Sequence, residues 1–161
     1  GAGFSGFLEK LHACYPGWLS GRDWKPRVQE LPLDAPGRAT LPGGVELLSM
    51  PANHSAGALH FRLTSPEATI VFSGDTGPSD ALIELSRGAD LLVCECALGA
   101  PRSGIAHLWP AAVREIVAAS KPRRVLLTHL YEEVDEALAL AEIGRSGVAV
   151  ERAFDGQVVQ F

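Results

Sequence analysis

Three segments decide the fold: ATIVFSGDTG at residues 68–77, ADLLVCECAL at residues 89–98 and PRRVLLTHL at residues 122–130. In each segment a short run of apolar and β-branched residues is followed by polar residues. Such continuous apolar runs are typical of fully buried strands. The three segments therefore predict buried strands at residues 69–73, 91–96 and 124–128.

Helical patterns separate these three strands. Residues 78–87 predict a helix with Ser79 or Asp80 as its N-cap and Gly88 as its left-handed stop. A second helix is predicted at residues 110–120 and a third at residues 133–143. Strands that alternate with helices of roughly ten residues are typical of an α/β layer architecture.

Other elements are predicted on both sides of this region. Residues 58–63 and 69–73 predict a hairpin around Ser65-Pro66. The remaining predictions are a helix at residues 4–14, a strand at 45–50, an irregular connector with short extended pieces before residue 45, and C-terminal strands at 148–151 and 157–161 joined by a turn at Asp155-Gly156.

Length and composition limit the classes of protein. The 161 residues, at 17.1 kDa, predict a single domain over residues 1–161. Fourteen basic and nineteen acidic residues give a net charge of -5, which argues against nucleic-acid binding through bulk charge. No apolar run approaches the length of a membrane span. Three cysteines, an odd and small number, predict a reduced, cytoplasmic protein.

Three polar residues follow predicted strands directly: His54, Asp75 and His129. The carboxyl ends of strands are where open α/β sheets place ligands and catalytic groups. Histidine and aspartate also suit zinc, iron or manganese. Each residue taken alone is more often an ordinary loop residue, but their joint occurrence at strand ends predicts a metal site.

Two further residues are candidates for proton transfer. Glu95 lies in a buried strand, where a carboxylate without a partner is costly, although a strand-end charge that reaches solvent would explain it equally well. His107 precedes the helix at residues 110–120. A buried carboxylate bonded to this imidazole would fix its tautomer and hold it as a general acid.

Other histidines and cysteines receive structural interpretations. His60 alternates with Leu59 and Phe61, so we expect it to face solvent. We expect Cys94 and Cys96 to be small buried hydrophobic residues rather than metal ligands.

Five segments, taken in order and spacing, resemble the metallo-β-lactamase superfamily, in its ribonuclease Z-like branch. They are NHSAGALHFRL (53–63), ATIVFSGDTG (68–77), ADLLVCECAL (89–98), GIAHLWPAAVREI (104–116) and PRRVLLTHL (122–130). The resemblance implies an αββα sandwich with two divalent metal ions, zinc foremost and manganese or iron as alternatives. It implies that His54 ligates the first metal, that Asp75 bridges both and that His129 ligates the second. It also implies that Glu95 and His107 are catalytic, with His107 assisting the leaving group.

The sequence departs from the family pattern: Cys94 stands where ribonuclease Z has histidine, Ala106 and Leu108-Trp109 replace the usual neighbours of His107, and the first metal motif, H-x-H-x-D-H, is absent from these residues. The chain therefore resembles the C-terminal portion of a metallo-β-lactamase-like domain, and we expect an incomplete sandwich and an incomplete dinuclear site. An incomplete sandwich exposes apolar surface, so we expect a homo-oligomer.

The resemblance implies a metal-dependent hydrolase that uses a metal-bound hydroxide, most specifically a ribonuclease Z-like phosphodiesterase. Two alternatives stay open: a lactone or ester hydrolase of the same superfamily, and a non-catalytic binding module or inactive fragment. The expected partner is a phosphodiester or another small hydrolysable substrate. RNA is left open although the charge does not favour it, and no membrane partner is expected.

Overall fold

The computed structural model describes residues 3–17 and 26–161. In chain order the elements of this part are α1 (Phe4–Cys14), β1 (Gly37–Leu41), β2 (Val45–Pro51), β3 (Leu59–Thr64), β4 (Thr69–Phe72), α2 (Asp80–Ser86), β5 (Leu91–Glu95), α3 (Pro110–Ser120), β6 (Arg124–Thr128), α4 (Glu136–Gly144) and β7 (Ala149–Arg152). Within these residues, no helix is long and apolar enough to span a membrane.

The strands of the described part form one sheet in which they follow each other in sequence order, from β1 to β7. Strands β1 to β4 pair antiparallel because short turns connect them. Strands β4 to β7 pair parallel, because a helix lies between each strand and the next. The predicted α/β architecture and the hairpin of β3 and β4 are therefore confirmed.

Helices α2, α3 and α4 cover one face of the sheet, and the core lies between the two layers. The core residues without solvent exposure include Val71, Leu82, Leu92, Val113, Val117, Val125, Leu127 and Ile143. Burial of each such side chain contributes about 1.5–3 kcal/mol. This layer keeps the strand ends, and the loops that follow them, in fixed positions.

The other face of the sheet carries an apolar row in register: Phe61 pairs with Phe72, Phe72 with Val93, and Val93 with Leu126. Phe72 is 38% exposed although it lies in the middle of the sheet. One sheet with one helical layer is half of an αββα sandwich. The expectation of an incomplete sandwich is therefore confirmed.

Most predicted bounds lie within two residues of the structure, and two predicted elements differ by more. Helix α4 begins at Glu136 rather than at residue 133, because the side chain of Asp135 accepts a hydrogen bond from the Leu138 N–H and caps the helix. The predicted strand at residues 157–161 is wrong. The turn at 155–156 is present, but Val158 is 81% exposed and the segment makes no ladder. Apolar β-branched residues alone do not make a strand where no neighbouring strand lies in register.

Candidate active site

The candidate residues lie at one edge of the sheet. His54 follows β2, Asp75 follows β4 and His129 follows β6, while Glu95 ends β5. The carboxyl ends of β2, β4, β5 and β6 share this edge because β2 and β4 both pair antiparallel with β3. His107 reaches it from the loop between β5 and α3.

His107 lies at the centre of the group. Its ligand atom lies within 4.8 Å of those of His54 and Asp75, and the same limit holds for His107 with Glu95 and His129. The ring centroids of His54 and His107 are 4.9 Å apart, and those of His107 and His129 are 5.1 Å apart. The structure thus brings together all five residues that the sequence singled out.

The contact between His129 and Asp75 is unusual for two polar groups. Nδ1 of His129 lies 3.0 Å from Oδ1 of Asp75, which is the distance of an ion pair. The two atoms do not have hydrogen-bond geometry, and this buried Nδ1 has no hydrogen-bond partner in the part of the chain that the structure describes. His129 also has a φ of +53°, a conformation that non-glycine residues adopt at a cost. A buried imidazole nitrogen beside a carboxylate oxygen is a donor set that suits a divalent metal ion.

The carboxylate of Glu95 is 1% exposed and fully engaged in hydrogen bonds. Oε1 accepts from the Thr76 N–H and from Nδ1 of His107, both at 2.7 Å. Oε2 accepts from the N–H groups of Ala97 and Leu108 at 3.1 and 3.2 Å. The alternative of a strand-end charge that reaches solvent is therefore wrong, because a buried carboxylate needs such partners and has them here.

This contact fixes the tautomer of His107. Because a carboxylate only accepts hydrogen bonds, Nδ1 of His107 carries a proton and donates it to Glu95. The other ring nitrogen, Nε2, is then left for other partners. The hydroxyl of Tyr131 lies 3.4 Å from it. An imidazole held by a buried carboxylate is the arrangement of an oriented general acid or base.

Asn53 ties the loop of His54 to the loop of Asp75. Its N–H donates to Oγ1 of Thr76, its carbonyl accepts from the Gly77 N–H, and its side-chain amide donates to the carbonyl of Pro78. The two loops therefore hold their positions relative to each other.

Gly74 allows the turn that places Asp75. Its φ is +56°, and a Cβ at this position would lie 2.9 Å from the carbonyl oxygen of Leu59. Only glycine accommodates both the left-handed conformation and this close approach.

The expectation for His60 is wrong: it is fully buried. Nδ1 donates to the carbonyl of Ser73 at 2.6 Å, and Nε2 lies 3.0 Å from Oγ of Ser79, the N-cap of α2. Burial lowers the pKa of His60, and the hydrogen bond to Ser73 opposes this effect. The residues of β3 do alternate between two faces, as predicted. The face that carries His60 packs against the helical layer, where Arg62 also donates hydrogen bonds to carbonyls at the C-terminus of α2.

The cysteines of β5 behave as hydrophobic residues. Cys94 and Cys96 are fully buried. Burial raises the pKa of the Cys94 thiol, and it raises that of Cys96 to about 12. A thiol that stays protonated is a poor metal ligand.

The sequence pattern does not identify Tyr131 as a residue of the candidate site. Its ring lies edge-on to the rings of His107 and His129, with centroid distances of 5.7 and 5.2 Å. The sequence feature that could have indicated a role for Tyr131 is its position two residues after His129. A tyrosine after a strand end is common, however, and only the fold shows that its hydroxyl meets His107.

Comparison with known protein families identifies the family of this chain. The family model described as the beta-lactamase superfamily domain matches residues 9–130. The chain belongs to this family. The predicted relationship to the metallo-β-lactamase superfamily is thereby confirmed, and its fold implies that divalent metal ions bind.

Two curated relatives match part of the chain. An uncharacterized protein of Mycobacterium leprae is 34% identical over 91 residues, which are 55% of this chain and 32% of that protein. Ribonuclease Z of Brevibacillus brevis is 37% identical over 87 residues, which are 48% of this chain and 27% of the enzyme. The matched part thus spans about a third or less of the length of these relatives.

Solved structures share the fold. The metallo-β-lactamase fold protein YhfI of Bacillus subtilis superposes with a TM-score of 0.76 at 22% identity, over 96% of this chain and 62% of that one. The short form of human tRNase Z superposes with a TM-score of 0.69 at 16% identity, over 99% of this chain and 65% of that one. At this level of identity the likeness establishes the fold, and this chain corresponds to part of each structure.

Proposed function

We propose that the protein is a metal-dependent hydrolase that acts on phosphodiesters, as ribonuclease Z-like enzymes do. The observation that carries this proposal is the buried hydrogen bond from His107 to Glu95, which lies beside His54, Asp75 and His129. A metal-ligand group next to an oriented imidazole supplies the two functions that hydrolysis of a phosphodiester needs: activation of water and protonation of the leaving group.

Three side chains would hold the metal. In this proposal His54 would ligate a first ion, His129 would ligate a second, and Asp75 would serve as a ligand to both. The buried Nδ1 of His129, which has no hydrogen-bond partner among the described residues, supports its role as a ligand. Imidazole and carboxylate ligands suit zinc foremost, and manganese or iron as alternatives. Because three side chains are too few for two ions, the dinuclear site needs further ligands.

The metal ions and the side chains of the protein contribute different parts of the hydrolysis reaction. When bound, divalent ions supply a water of lowered pKa and polarise the phosphoryl oxygen. A bond then forms between the water oxygen and phosphorus, and the bond from phosphorus to the leaving oxygen breaks. His107 gives the proton on Nε2 to that leaving oxygen, while Glu95 holds Nδ1 and stabilises the positive charge that the ring carries beforehand. The proton lost by the attacking water goes to solvent.

The experiment is a paired assay. The metal-loaded protein is incubated with bis(4-nitrophenyl) phosphate and, in parallel, with a lactone. We expect hydrolysis of the phosphodiester and little of the lactone. The reverse preference would support the ester hydrolase alternative, and no hydrolysis of either by the full-length gene product would support a binding module.

The role of His107 is tested by His107→Ala. We expect turnover of uridylyl-(3′→5′)-uridine, a phosphodiester whose leaving group is an alkoxide, to fall by about 100-fold or more, since general acid catalysis contributes about 10²–10⁴-fold. Metal content, measured by inductively coupled plasma mass spectrometry, should stay unchanged. Loss of metal in this variant would make His107 a ligand and refute the role assigned to it.

We also infer that residues 1–161 belong to one domain, because one sheet and one core connect the elements from β1 to β7. A cytoplasmic location is proposed on the basis of the free thiols of Cys94 and Cys96. Limited proteolysis tests the single domain, and two separable stable fragments would overturn it. Fractionation of cells that express the native gene tests the location, and recovery of the protein outside the cytoplasm would overturn it.

A further inference from the structure

Tyr131 is held at the site by its backbone as well as by its ring. Its N–H donates to the carbonyl of Ala97, and its own carbonyl accepts from the Val134 N–H. The first bond joins the loop after β6 to the loop after β5, and the second closes a turn within the loop after β6. The hydroxyl is thereby directed toward Nε2 of His107, at 3.4 Å. The side chain is nevertheless 39% exposed, so a substrate can reach it.

The direction of this hydrogen bond follows from the other side of the ring. Nδ1 of His107 carries a proton because it donates to Glu95, and in the protonated ring that proton transfer to the leaving oxygen requires, Nε2 carries one as well. Nε2–H is then the donor and the hydroxyl oxygen of Tyr131 the acceptor, so the O–H of Tyr131 stays free. A leaving oxygen that approaches Nε2 takes the place of this hydroxyl as the partner of His107. The O–H of Tyr131 then lies next to the same oxygen and is free to donate to it.

We propose that Tyr131 is a further catalytic residue, whose hydroxyl donates a hydrogen bond to the leaving oxygen of the phosphodiester while His107 transfers its proton there. This inference rests on the proposed function and deepens it. The tyrosine keeps its proton throughout, and the hydrogen bond stabilises the negative charge that develops on the oxygen as its bond to phosphorus breaks.

The proposal also indicates the class of substrate. Two donors at the leaving oxygen matter most when that oxygen departs as a strongly basic alkoxide, such as a ribose hydroxyl. They matter little when it departs as a stabilised phenolate. The second donor therefore serves a phosphodiester whose leaving group is an alcohol.

The test replaces Tyr131 by phenylalanine, which keeps the ring contacts with His107 and His129 and removes the hydroxyl. Turnover is measured on uridylyl-(3′→5′)-uridine, whose leaving group is an alkoxide, and on bis(4-nitrophenyl) phosphate. We expect kcat on the dinucleotide to fall by about 10-fold, the effect of one lost hydrogen bond. On the nitrophenyl ester it should stay within about twofold, because that leaving group needs no donor. The control is Tyr15→Phe, which changes the other tyrosine of the chain.

The outcomes separate this inference from the proposed function. Equal losses on both substrates would indicate a structural role for Tyr131, and no loss on either would indicate no role; both results overturn the inference. If His107→Ala loses turnover while Tyr131→Phe does not, only the inference fails. If the metal-loaded wild type hydrolyses neither substrate, or if His107→Ala is fully active, the proposed function fails and the inference with it.

Discussion

Nδ1 of His107 and Oε1 of Glu95 are 2.7 Å apart in a site where the carboxylate is 1% exposed. The carboxylate accepts three backbone N–H groups besides this imidazole, so it serves the fold and the site at once. Its backbone bonds connect β5 to the loops of Asp75 and His107. Its imidazole bond sets which nitrogen of His107 faces a substrate.

Replacement of Glu95 by glutamine should weaken both the hydrogen bonds that stabilise the fold and the bond that orients His107. The amide NH₂ of glutamine takes the place of one carboxylate oxygen, so at least one buried N–H that donated to that oxygen loses its acceptor. We expect the free energy of unfolding, measured by urea denaturation, to fall by about 1–3 kcal/mol. The matched control is Glu133→Gln at the surface ion pair with Arg102, which should cost at most about 1 kcal/mol. Equal losses in the two variants would contradict the role given to Glu95.

His60 should make stability depend on pH. Burial lowers its pKa in the folded protein, whereas in the unfolded chain the pKa is about 6.5. As pH falls below about 6.5, the unfolded state binds a proton that the folded state does not, so the free energy of unfolding decreases until the folded pKa is reached. Denaturation curves between about pH 8 and pH 5 should show this decrease in the wild type, and it should be smaller in His60→Asn. His12→Asn, an exposed histidine of α1, is the control and should keep the wild-type slope.

Gly74→Ala should disturb the position of Asp75. The added Cβ would meet the Leu59 carbonyl at 2.9 Å, and the overpacking should cost about 1–3 kcal/mol in addition to the strain of a positive φ. Gly88→Ala isolates the strain of a positive φ, because Gly88 has a φ of +64° and open space around it. We expect thermal denaturation to show a larger loss of stability for Gly74→Ala, together with reduced metal content. A loss no greater than that of Gly88→Ala would show that the backbone relaxes without cost.

The exposed face of the sheet should cause association with a second copy of the chain. Phe72 lies on this face in the row with Phe61 and Val93. We expect analytical ultracentrifugation at micromolar concentration to show more than the monomer mass, and Phe72→Ser to shift the population toward monomer. Leu138→Ser, which changes an exposed leucine of helix α4, is the control and should leave association unchanged. A wild-type protein that sediments as a monomer would refute this prediction.

The sequence by itself determined most of the elements and the identity of the candidate residues. Helices α1 and α3 and strand β6 have the predicted bounds, because local periodicity and nearby prolines specify them. His54, Asp75 and His129 were recognisable because each follows an apolar run, and a strand end is a local feature of the sequence.

Only the tertiary structure decided which side of β3 is buried, what partners Glu95 has, and where Tyr131 lies. Alternation along β3 separates its two faces, but the position of α2 determines that His60 faces the core. The strand predicted at residues 157–161 failed for a similar reason, since a strand needs a partner in register. The hydroxyl of Tyr131 meets His107 across 24 residues of chain. Periodicity reports which residues share a face, whereas contacts between distant segments depend on how the layers pack, and no local pattern contains that information.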